Sequence, residues 1–395
     1  MKKVLALILV LCMAFALCAC GGSKAPAAPA APAAAPAANE PAAAPAANEP
    51  AAAPAEEIKP VTLTYSTHVA SGAVSAHGIE MIEEKVNEIL GGDYLTIDYY
   101  YSNTLGTGAT MLDDVKSGVT DIGNIMVSSN VSVLPMCALF QTPGAAAFLS
   151  CESAASSFRD YLNELQPAEL EDLIVLDVIA TGPGSIVTNF EAHSMADLSG
   201  RMIRGSATTA DTLTAWGAKP VTLEWGECYE AMRNNLIEGI YTNAGAPADN
   251  NFDDVVKYHI YAPWYNECEL FAMSKEGFYN LQPAMQEAIL QAADEVFDEY
   301  FMPLQDIAIF PFPMFERYFA AIDGIIFFPQ EEVDKMTDAI SATGAAVKAQ
   351  ELDAQGLPGT EALALIKELA DKYNAQYDGS TYKDALLGFG ATVIE

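Results

Sequence analysis

The chain has 395 residues and a formal net charge of −34 at pH 7, from 53 acidic and 19 basic side chains. This acid excess argues against nucleic acid as a partner, because its phosphates would be repelled. Small anions are also repelled at long range, but screening over about 8 Å at physiological salt leaves a cation inside a crevice free to act locally. The length is enough for two lobes.

The first 20 residues have the pattern of a secretory signal. A basic start at 1–3 precedes an unbroken apolar run at 4–19, which is too short and wrongly flanked for a membrane span. The run ends in Leu-Cys-Ala-Cys-Gly at 17–21, which resembles a bacterial lipobox with Cys20 as the lipidated residue. We favour a lipoprotein signal over an ordinary secretory signal that is cut nearby.

Residues 21–57 are almost entirely Ala and Pro, and the unit Pro-Ala-Ala-Asn-Glu-Pro occurs at 36–41 and again at 45–50. Such a segment cannot bury a core, and its prolines favour extended polyproline II. At ~3.1 Å per residue it could reach on the order of 100 Å. We predict a disordered tether that holds a folded domain off a membrane surface.

From residue 58 onward, strand and helix patterns alternate. Strands are predicted at 61–66, 94–101 and 118–123, with apolar helix faces between them. This β-α-β-α-β order predicts an α/β fold and the first half of a doubly wound lobe. A further strand at 173–180 leads to a crossing between lobes near Thr181, and the chain is expected to cross back near Glu267. A long helix after Gln286 is expected to break or kink at Pro303 and to end at Pro311 and Pro313.

Residues 197–243 carry the strongest functional pattern. Strands are predicted at 202–204 and 221–223 and from 237, separated by helices and tight glycine turns. Parallel strands of this kind place a ligand crevice outside their carboxyl ends. Arg204, the pair Glu224-Trp225 and the pair Thr242-Asn243 all occupy such ends.

Three side chains in this stretch have two interpretations each. The Arg204 guanidinium matches a carboxylate in bidentate fashion, so it is either a ligand anchor or half of a salt bridge between lobes. Trp225 is either a ligand wall or part of the core. Tyr229 lies four residues further along the same helix face, where it either lines the site or backs it.

The same stretch resembles the DctP-type solute receptors of TRAP transporters. Their pattern runs Asp-Leu-x-Gly-x-x-x-Arg, Gly-Ala-x-Pro, Glu-x-Tyr-x-Ala-Leu and Asp-Gly-x-x-Asn. The matching residues are Asp197, Leu198, Gly200, Arg204, Gly217, Ala218, Pro220, Glu227, Tyr229, Ala231, Met232 (for Leu), Glu238 (for Asp) and Gly239. The likeness extends, more weakly, over roughly residues 60–380.

The resemblance implies a two-lobed periplasmic-binding-protein-like fold. Each lobe is expected to have a central mixed sheet flanked by helices, and a long helix is expected to span the hinge. Lobe I is assigned to 58–181 and 268–308, and lobe II to 182–267 and 309–395.

The resemblance also implies a ligand site. The carboxylate-binding arginine corresponds to Arg204, the aromatic wall to Trp225, and the asparagine position to Thr242 with Asn243 beside it. From the first lobe, His68 and the segment from Asn124 to Met126 are expected to contribute. The position of a second cation, found in many relatives, is Gly184 here, with Ser185 next to it.

One arginine and no second cation predict a monocarboxylate rather than a dicarboxylate, since a second buried charge would have no partner. Lys219 starts a strand at the end away from the crevice and is a poor substitute. Tyr241 is expected to join Trp225 and Met126 in the wall. The receptor would capture a small organic acid by lobe closure outside the cytoplasm, anchored through lipidated Cys20, and deliver it to TRAP permease subunits.

Motifs of other chemistry are missing from the sequence: there is no phosphate loop, no Gly-x-Ser-x-Gly and no His-Glu-x-x-His. The four histidines are scattered, so neither a metal nor another cofactor is predicted. Buried thiols are expected at Cys137, Cys151, Cys228 and Cys268, with Cys137–Cys151 as the candidate disulfide. An extracytoplasmic lyase or hydrolase on a similar fold, or a receptor for a sensor or another transporter, remains as an alternative.

Overall fold

A computed structural model describes residues 57–298, 313–389 and 392–394. The predicted signal, lipidation site and tether lie outside the described residues, except for Glu57. The predicted kink at Pro303 and helix end at Pro311 also lie outside them. Among the described residues, no helix combines the length and the apolar character needed to cross a membrane.

Two sheets organise the described chain. The strands are β1 (Val61–Ser66), β2 (Leu95–Tyr100), β3 (Ile122–Met126), β4 (Leu173–Ala180), β5 (Gly184–Thr188), β6 (Met202–Arg204), β7 (Lys219–Val221), β8 (Gly239–Asn243), β9 (Tyr258–Tyr261), β10 (Cys268–Ser274), β11 (Gly324–Phe327) and β12 (Val393–Ile394). The first sheet has the order β2-β1-β3-β10-β4 and the second β12-β11-β9-β5-β8-β6-β7. Both sheets are mixed: β10 is antiparallel to its two neighbours, and β5 is antiparallel to β8 and β9.

Helices flank these sheets. They are α1 (His77–Leu90), α2 (Met111–Lys116), α3 (Pro135–Gln141), α4 (Cys151–Leu165), α5 (Ala210–Ala215), α6 (Cys228–Arg233), α7 (Ala246–Asp249), α8 (Lys275–Tyr279), α9 (Pro283–Val296), α10 (Pro313–Ala321), α11 (Gln330–Ile340), α12 (Ala345–Ala354), α13 (Gly359–Gln376) and α14 (Tyr382–Gly388). Gly91 ends α1 in the left-handed region at φ 73°, a conformation that glycine adopts without steric cost.

Two of the connections between the sheets run directly from strand to strand within the described residues. The chain leaves the first sheet after Ala180 to enter the second at Gly184, and it returns between Tyr261 and Cys268. The two crossings lie side by side, because the backbone N–H of Thr181 donates to the Glu267 carbonyl oxygen at 2.9 Å. Each sheet has its own buried core. The result is an α/β protein of two lobes joined by adjacent connections, the geometry that hinge closure requires.

The assignment of all of 309–395 to the second lobe is wrong for α12 and α13. Ala349, Leu363 and Leu369 lie in the core of the first lobe, together with residues of α4 and β4. An amphipathic pattern shows that a helix covers an apolar surface, but it does not show which of two sheets provides that surface.

Two further sequence predictions need correction. The strand predicted at 221–223 is β7, Lys219–Val221, so Val221 ends the strand instead of starting it. Cys137, Cys228 and Cys268 are buried free thiols among the described residues, so the candidate disulfide between Cys137 and Cys151 is absent. The Cys151 Sγ instead accepts a hydrogen bond from the backbone N–H of Gly182 at 3.0 Å.

The place of α13 in the first lobe can be tested by truncating a core leucine. Leu369 is 2% exposed, and Leu369→Ala should lower the free energy of unfolding by about 2–5 kcal/mol, because it leaves a cavity. Leu236, which is 64% exposed in the second lobe, is the matched control, and Leu236→Ala should change it by less than about 0.5 kcal/mol. Equal effects in urea titrations would contradict this packing.

Candidate functional site

A cleft with an empty volume of about 830 Å³ is lined by residues of both lobes. Met126 at the end of β3 and His68 just after β1 come from the first lobe. Arg204 at the end of β6 and Thr242 near the end of β8 come from the second lobe. The cleft therefore lies outside the carboxyl ends of parallel strands, where ligands bind in open α/β sheets.

Six of the eight predicted ligand-binding residues line this cleft: His68, Met126, Arg204, Trp225, Thr242 and Asn243. Asn124 and Tyr229 are not among the residues that line it. Asn124 is fully buried in β3, where its Nδ2 donates to Glu269 at 2.9 Å, so it supports a residue that does line the cleft. The backing interpretation fits Tyr229, because its ring packs edge-on against Phe252, and Phe252 stacks on Trp225.

Arg204 is 6% exposed and is fixed by its own backbone surroundings. Its Nε donates to the carbonyl oxygen of Leu223 at 3.1 Å, which orients the guanidinium while leaving the two terminal nitrogens for another partner. Within the described chain, no carboxylate forms an ion pair with Arg204. The alternative of a salt bridge between lobes therefore has no support.

Trp225 forms an aromatic wall beside this arginine. The Arg204 Cζ atom lies 5.8 Å from the centroid of the indole ring. Phe252 stacks on the ring at 5.4 Å with an interplanar angle of 4°, so one face of Trp225 is covered. A short turn positions the indole: Trp225–Glu227 is a 3-10 helix, and the Glu227 carboxylate accepts from the Glu224 backbone N–H at 3.1 Å.

The position of the missing second cation is closed by packing. A Cβ atom on Gly184 would lie 3.0 Å from the Ala262 carbonyl oxygen and 3.0 Å from the Tyr241 ring. A lysine or arginine there would need the surrounding backbone to move. Tyr241 itself is fully buried against Trp216 and Tyr265, so its prediction as a wall residue is wrong.

Asn243 lines the cleft beside Thr242, although adjacent side chains of a regular strand point to opposite faces. It is the last residue of β8, and its Oδ1 accepts from the backbone N–H groups of Gly245 and Ala246 at 3.1 and 2.8 Å. These bonds bend the chain into α7 and turn the side chain toward the cleft. The strict alternation of strand side chains no longer applies where a strand ends.

Three carboxyl groups that line the cleft were not predicted as site residues from the sequence: Asp249, Glu267 and Glu269. Glu267 accepts from the Ser128 hydroxyl at 2.6 Å and from the Tyr265 hydroxyl at 2.5 Å. Glu269 lies on the same side of β10, since side chains two residues apart share a strand face. The signal was the alternation Glu-Cys-Glu at 267–269, with Cys268 in the first-lobe core.

Burial dominates the protonation of this group. It raises the pKa of Glu269 to about 7, against the hydrogen bond from Asn124. It also raises the pKa of Asp249 to about 7 and raises the pKa of Glu267. Burial lowers the pKa of His68 to about 4, although its Nε2 is 3.5 Å from Glu269. His68 is therefore neutral near pH 7, and Glu269 and Asp249 retain there part of the protons that exposed carboxyl groups have lost.

The cleft thus offers one fixed guanidinium, an aromatic wall and a set of buried hydrogen-bonding groups. In the described part of the chain, no group of three or more His, Cys, Asp or Glu side chains is placed to hold a metal ion. Two lobes around such a cleft define a solute-binding protein of the periplasmic type.

The chain belongs to the DctP family, bacterial extracellular solute-binding protein family 7, whose sequence model matches residues 65–304. The protein YiiZ of Salmonella typhimurium is 22% identical over 228 residues, which cover 54% of this chain and 66% of YiiZ. The chain thus matches just under two thirds of the length of that relative.

Solved structures share the fold. A TRAP solute-binding protein from Rhodoferax ferrireducens, in complex with copurified benzoate, has a TM-score of 0.71 at 20% identity. A marine metagenome TRAP solute-binding protein in complex with metahydroxyphenylacetate has a TM-score of 0.71 at 21% identity. Each comparison covers 80% of this chain and 99% of the other. The two-lobed fold expected from the sequence is confirmed.

The raised pKa of Glu269 gives a pH dependence of stability. An unfolded glutamate titrates near about 4.3, so between that pH and about 7 the folded chain holds a proton that the unfolded chain lacks. Stability attributable to Glu269 therefore falls as pH rises through this window. The Glu269→Gln variant does not show this loss, so its free energy of unfolding should gain about 2 kcal/mol relative to the parent between about pH 5 and 7.

Glu276 is an exposed glutamate on α8 of the same lobe, and Glu276→Gln is the matched control. Its difference from the parent should stay constant over the same pH range in urea titrations. A constant difference for Glu269→Gln as well would show that Glu269 is ionised in the folded protein.

Proposed function

We propose that this protein captures a small monocarboxylate between its two lobes and delivers it to a TRAP-type permease. The observation that carries the proposal is the buried Arg204, which has no carboxylate partner in the described chain and faces a cleft between the lobes. A guanidinium whose Nε is already bonded presents its terminal nitrogens as a fork that matches one carboxylate. Closure around the ligand would exclude water and strengthen that pair.

The limit to one carboxylate follows from the charges. Arg204 is the one lysine or arginine among the described residues that line the cleft. Lys219 is exposed at the start of β7, the opposite end from the cleft, and a side chain at position 184 would need tightly packed neighbours to shift. The two solved relatives hold aromatic monocarboxylates, and Trp225 gives this cleft an aromatic wall as well.

The place of the protein in the cell follows from its N-terminal sequence and its family. We propose that the chain works outside the cytoplasm and is anchored by a lipid on Cys20. The Ala- and Pro-rich segment that follows would let the lobes reach the permease from the membrane surface.

Removing the guanidinium should abolish high-affinity binding. Arg204→Ala leaves the ligand carboxylate unpaired, which costs about 2–5 kcal/mol, or roughly thirty- to several-thousand-fold in affinity. Arg204→Lys should also bind weakly, because an ammonium cannot reproduce the fork. The measurement is calorimetry with the monocarboxylate that most raises the unfolding midpoint of the parent.

Arg201 provides a matched control at the other end of β6. Its side chain is 41% exposed and pairs with Glu238 at 2.7 Å, so Arg201→Ala should leave affinity within about twofold. A loss of less than several-fold for Arg204→Ala would assign Arg204 a structural role. A panel in which only dicarboxylates raise the midpoint would contradict the single-carboxylate site.

Anchoring is tested separately. Cys20→Ser removes the thiol that would be acylated, so the protein should move from the membrane fraction to the soluble extracytoplasmic fraction. Cys18→Ser, two residues earlier, is the matched control and should remain with the membranes. If Cys20→Ser fractionates like the parent, the lipobox interpretation is wrong.

A further inference from the structure

The charges that line the cleft do not suit a simple anion. Against Arg204 stand three carboxyl groups, Asp249, Glu267 and Glu269. Two of them are carried by the first lobe or the connection into it, and the arginine is carried by the second lobe. A purely anionic ligand that pairs with Arg204 would also meet the oxygen atoms of these carboxyl groups.

Among the described residues, the hydrogen bonds that hold Glu267 and Glu269 come from neutral donors, and Arg204 acts on Glu267 only through its charge. Glu267 accepts from two hydroxyl groups, Ser128 and Tyr265, and Glu269 accepts from the Asn124 amide. These bonds fix both side chains in place without neutralising them. Within the described chain, the only basic side chain paired with either one is His68, 3.5 Å from Glu269, and burial lowers its pKa. Buried carboxyl groups without a full counter-charge are costly, so a role in binding offers a reason for their presence.

The unused polar atoms around them are mostly acceptors. The Oδ1 atom of Asp249, which lines the cleft, is buried and has no hydrogen-bond partner among the described residues. The Nδ1 of His68 is also buried without a partner, and this side chain is only 6% exposed while it lines the cleft. A closed cleft needs these atoms satisfied by its ligand. An ammonium group offers three donors and no acceptor, which fits such a set.

We propose that the ligand is a zwitterion, an acid that also carries a protonated amine. Its carboxylate pairs with Arg204, and its ammonium group lies against Glu267 and Glu269. The proposal rests on the proposed function and specifies the ligand class of the same site. A zwitterion also has no net charge, so the charge of −34 on the chain does not repel it at long range.

The first test uses matched sets of acids that differ at one substituent. One set is phenylacetate, mandelate and phenylglycine, with hydrogen, hydroxyl and ammonium on the same carbon. A second is benzoate, 3-hydroxybenzoate and 3-aminomethylbenzoate, and a third is 4-methylpentanoate, 2-hydroxy-4-methylpentanoate and leucine. In thermal-shift and calorimetric measurements on the full chain, the best ligand of the panel should be an amine, at least about tenfold tighter than its amine-free partner.

The outcomes separate the two proposals. If amine-free acids bind as tightly as their amines or more tightly, the zwitterion inference is overturned and the carboxylate receptor stands. If no compound of the panel binds, while a dicarboxylate or a compound without a carboxylate does, the proposed function fails together with the inference.

The second test measures the protons that the protein releases or takes up when it binds a ligand. Around Glu269 lie the titratable groups Tyr65, His68 and Glu267, with Arg204 on the second lobe. A bound ammonium favours the ionised carboxylate, so binding near pH 7 should release protons. A bound anion without an amine favours the protonated form, so it should take protons up. Calorimetry in two buffers with different ionisation enthalpies gives the sign, and proton uptake with the tightest ligand would overturn the inference.

Neutral isosteres locate the ammonium site. Glu267→Gln and Glu269→Gln should each weaken the tightest amine by at least about tenfold, and they should leave its amine-free partner within about threefold. Glu276→Gln, exposed on the same lobe, should change neither. If a glutamine variant does not fold, the affinities of the matched acids and the proton release measured with the parent protein still test the inference. Equal losses for amine and amine-free acid would overturn the inference.

Discussion

The bond between the Arg204 Nε and the Leu223 carbonyl oxygen fixes the group on which the rest of the site depends. A buried guanidinium has to satisfy its donors, and a backbone acceptor on the segment after β7 satisfies one of them without neutralising the charge. The remaining donors face the cleft, and no described carboxylate forms an ion pair with the guanidinium. β6 pairs in parallel with β7 and β8, so Arg204 lies at the carboxyl end of these strands, beside Trp225 and Thr242.

The adjacent crossings determine what meets this arginine from the other lobe. The second crossing delivers Glu267 and Glu269 to the cleft as the chain enters β10, and the bond between Thr181 and Glu267 ties it to the first crossing. The hinge strands thus contribute ligand-facing groups as well as the connection between lobes. Burial has already raised the pKa of both carboxyl groups at this hinge.

The sequence predicted the two lobes, the mixed sheets and much of the second-lobe site. It succeeded there because glycine turns and short apolar strands set the order of elements, and because the strand ends of a parallel sheet meet at one edge. It misplaced α12 and α13, since an amphipathic face does not identify its partner. Tyr241 was also predicted from the sequence as a wall residue of the cleft. Its ring is buried in the core instead, because side chains alternate along β8 and Thr242 faces the cleft.

The carboxyl groups that line the cleft were not predicted from the sequence, and the reason is physical. In a chain with 53 acidic residues, the alternation Glu-Cys-Glu at 267–269 is a weak signal, and only the fold shows that Glu267 and Glu269 are buried beside a cleft. The prediction of a single-cation site needed only the arginine pattern and the glycine at 184. The ligand class suggested by the carboxyl groups needed the three-dimensional arrangement.

The central claim is that Arg204 holds the single carboxylate of a small ligand in this cleft. Its most direct test is mass spectrometry of the compound that copurifies with the parent protein and is released by denaturation. We expect an unmodified small molecule with one carboxylate, which copurifies with the parent and with Arg201→Ala but not with Arg204→Ala. A dicarboxylate, or a compound that copurifies equally with Arg204→Ala, would contradict it.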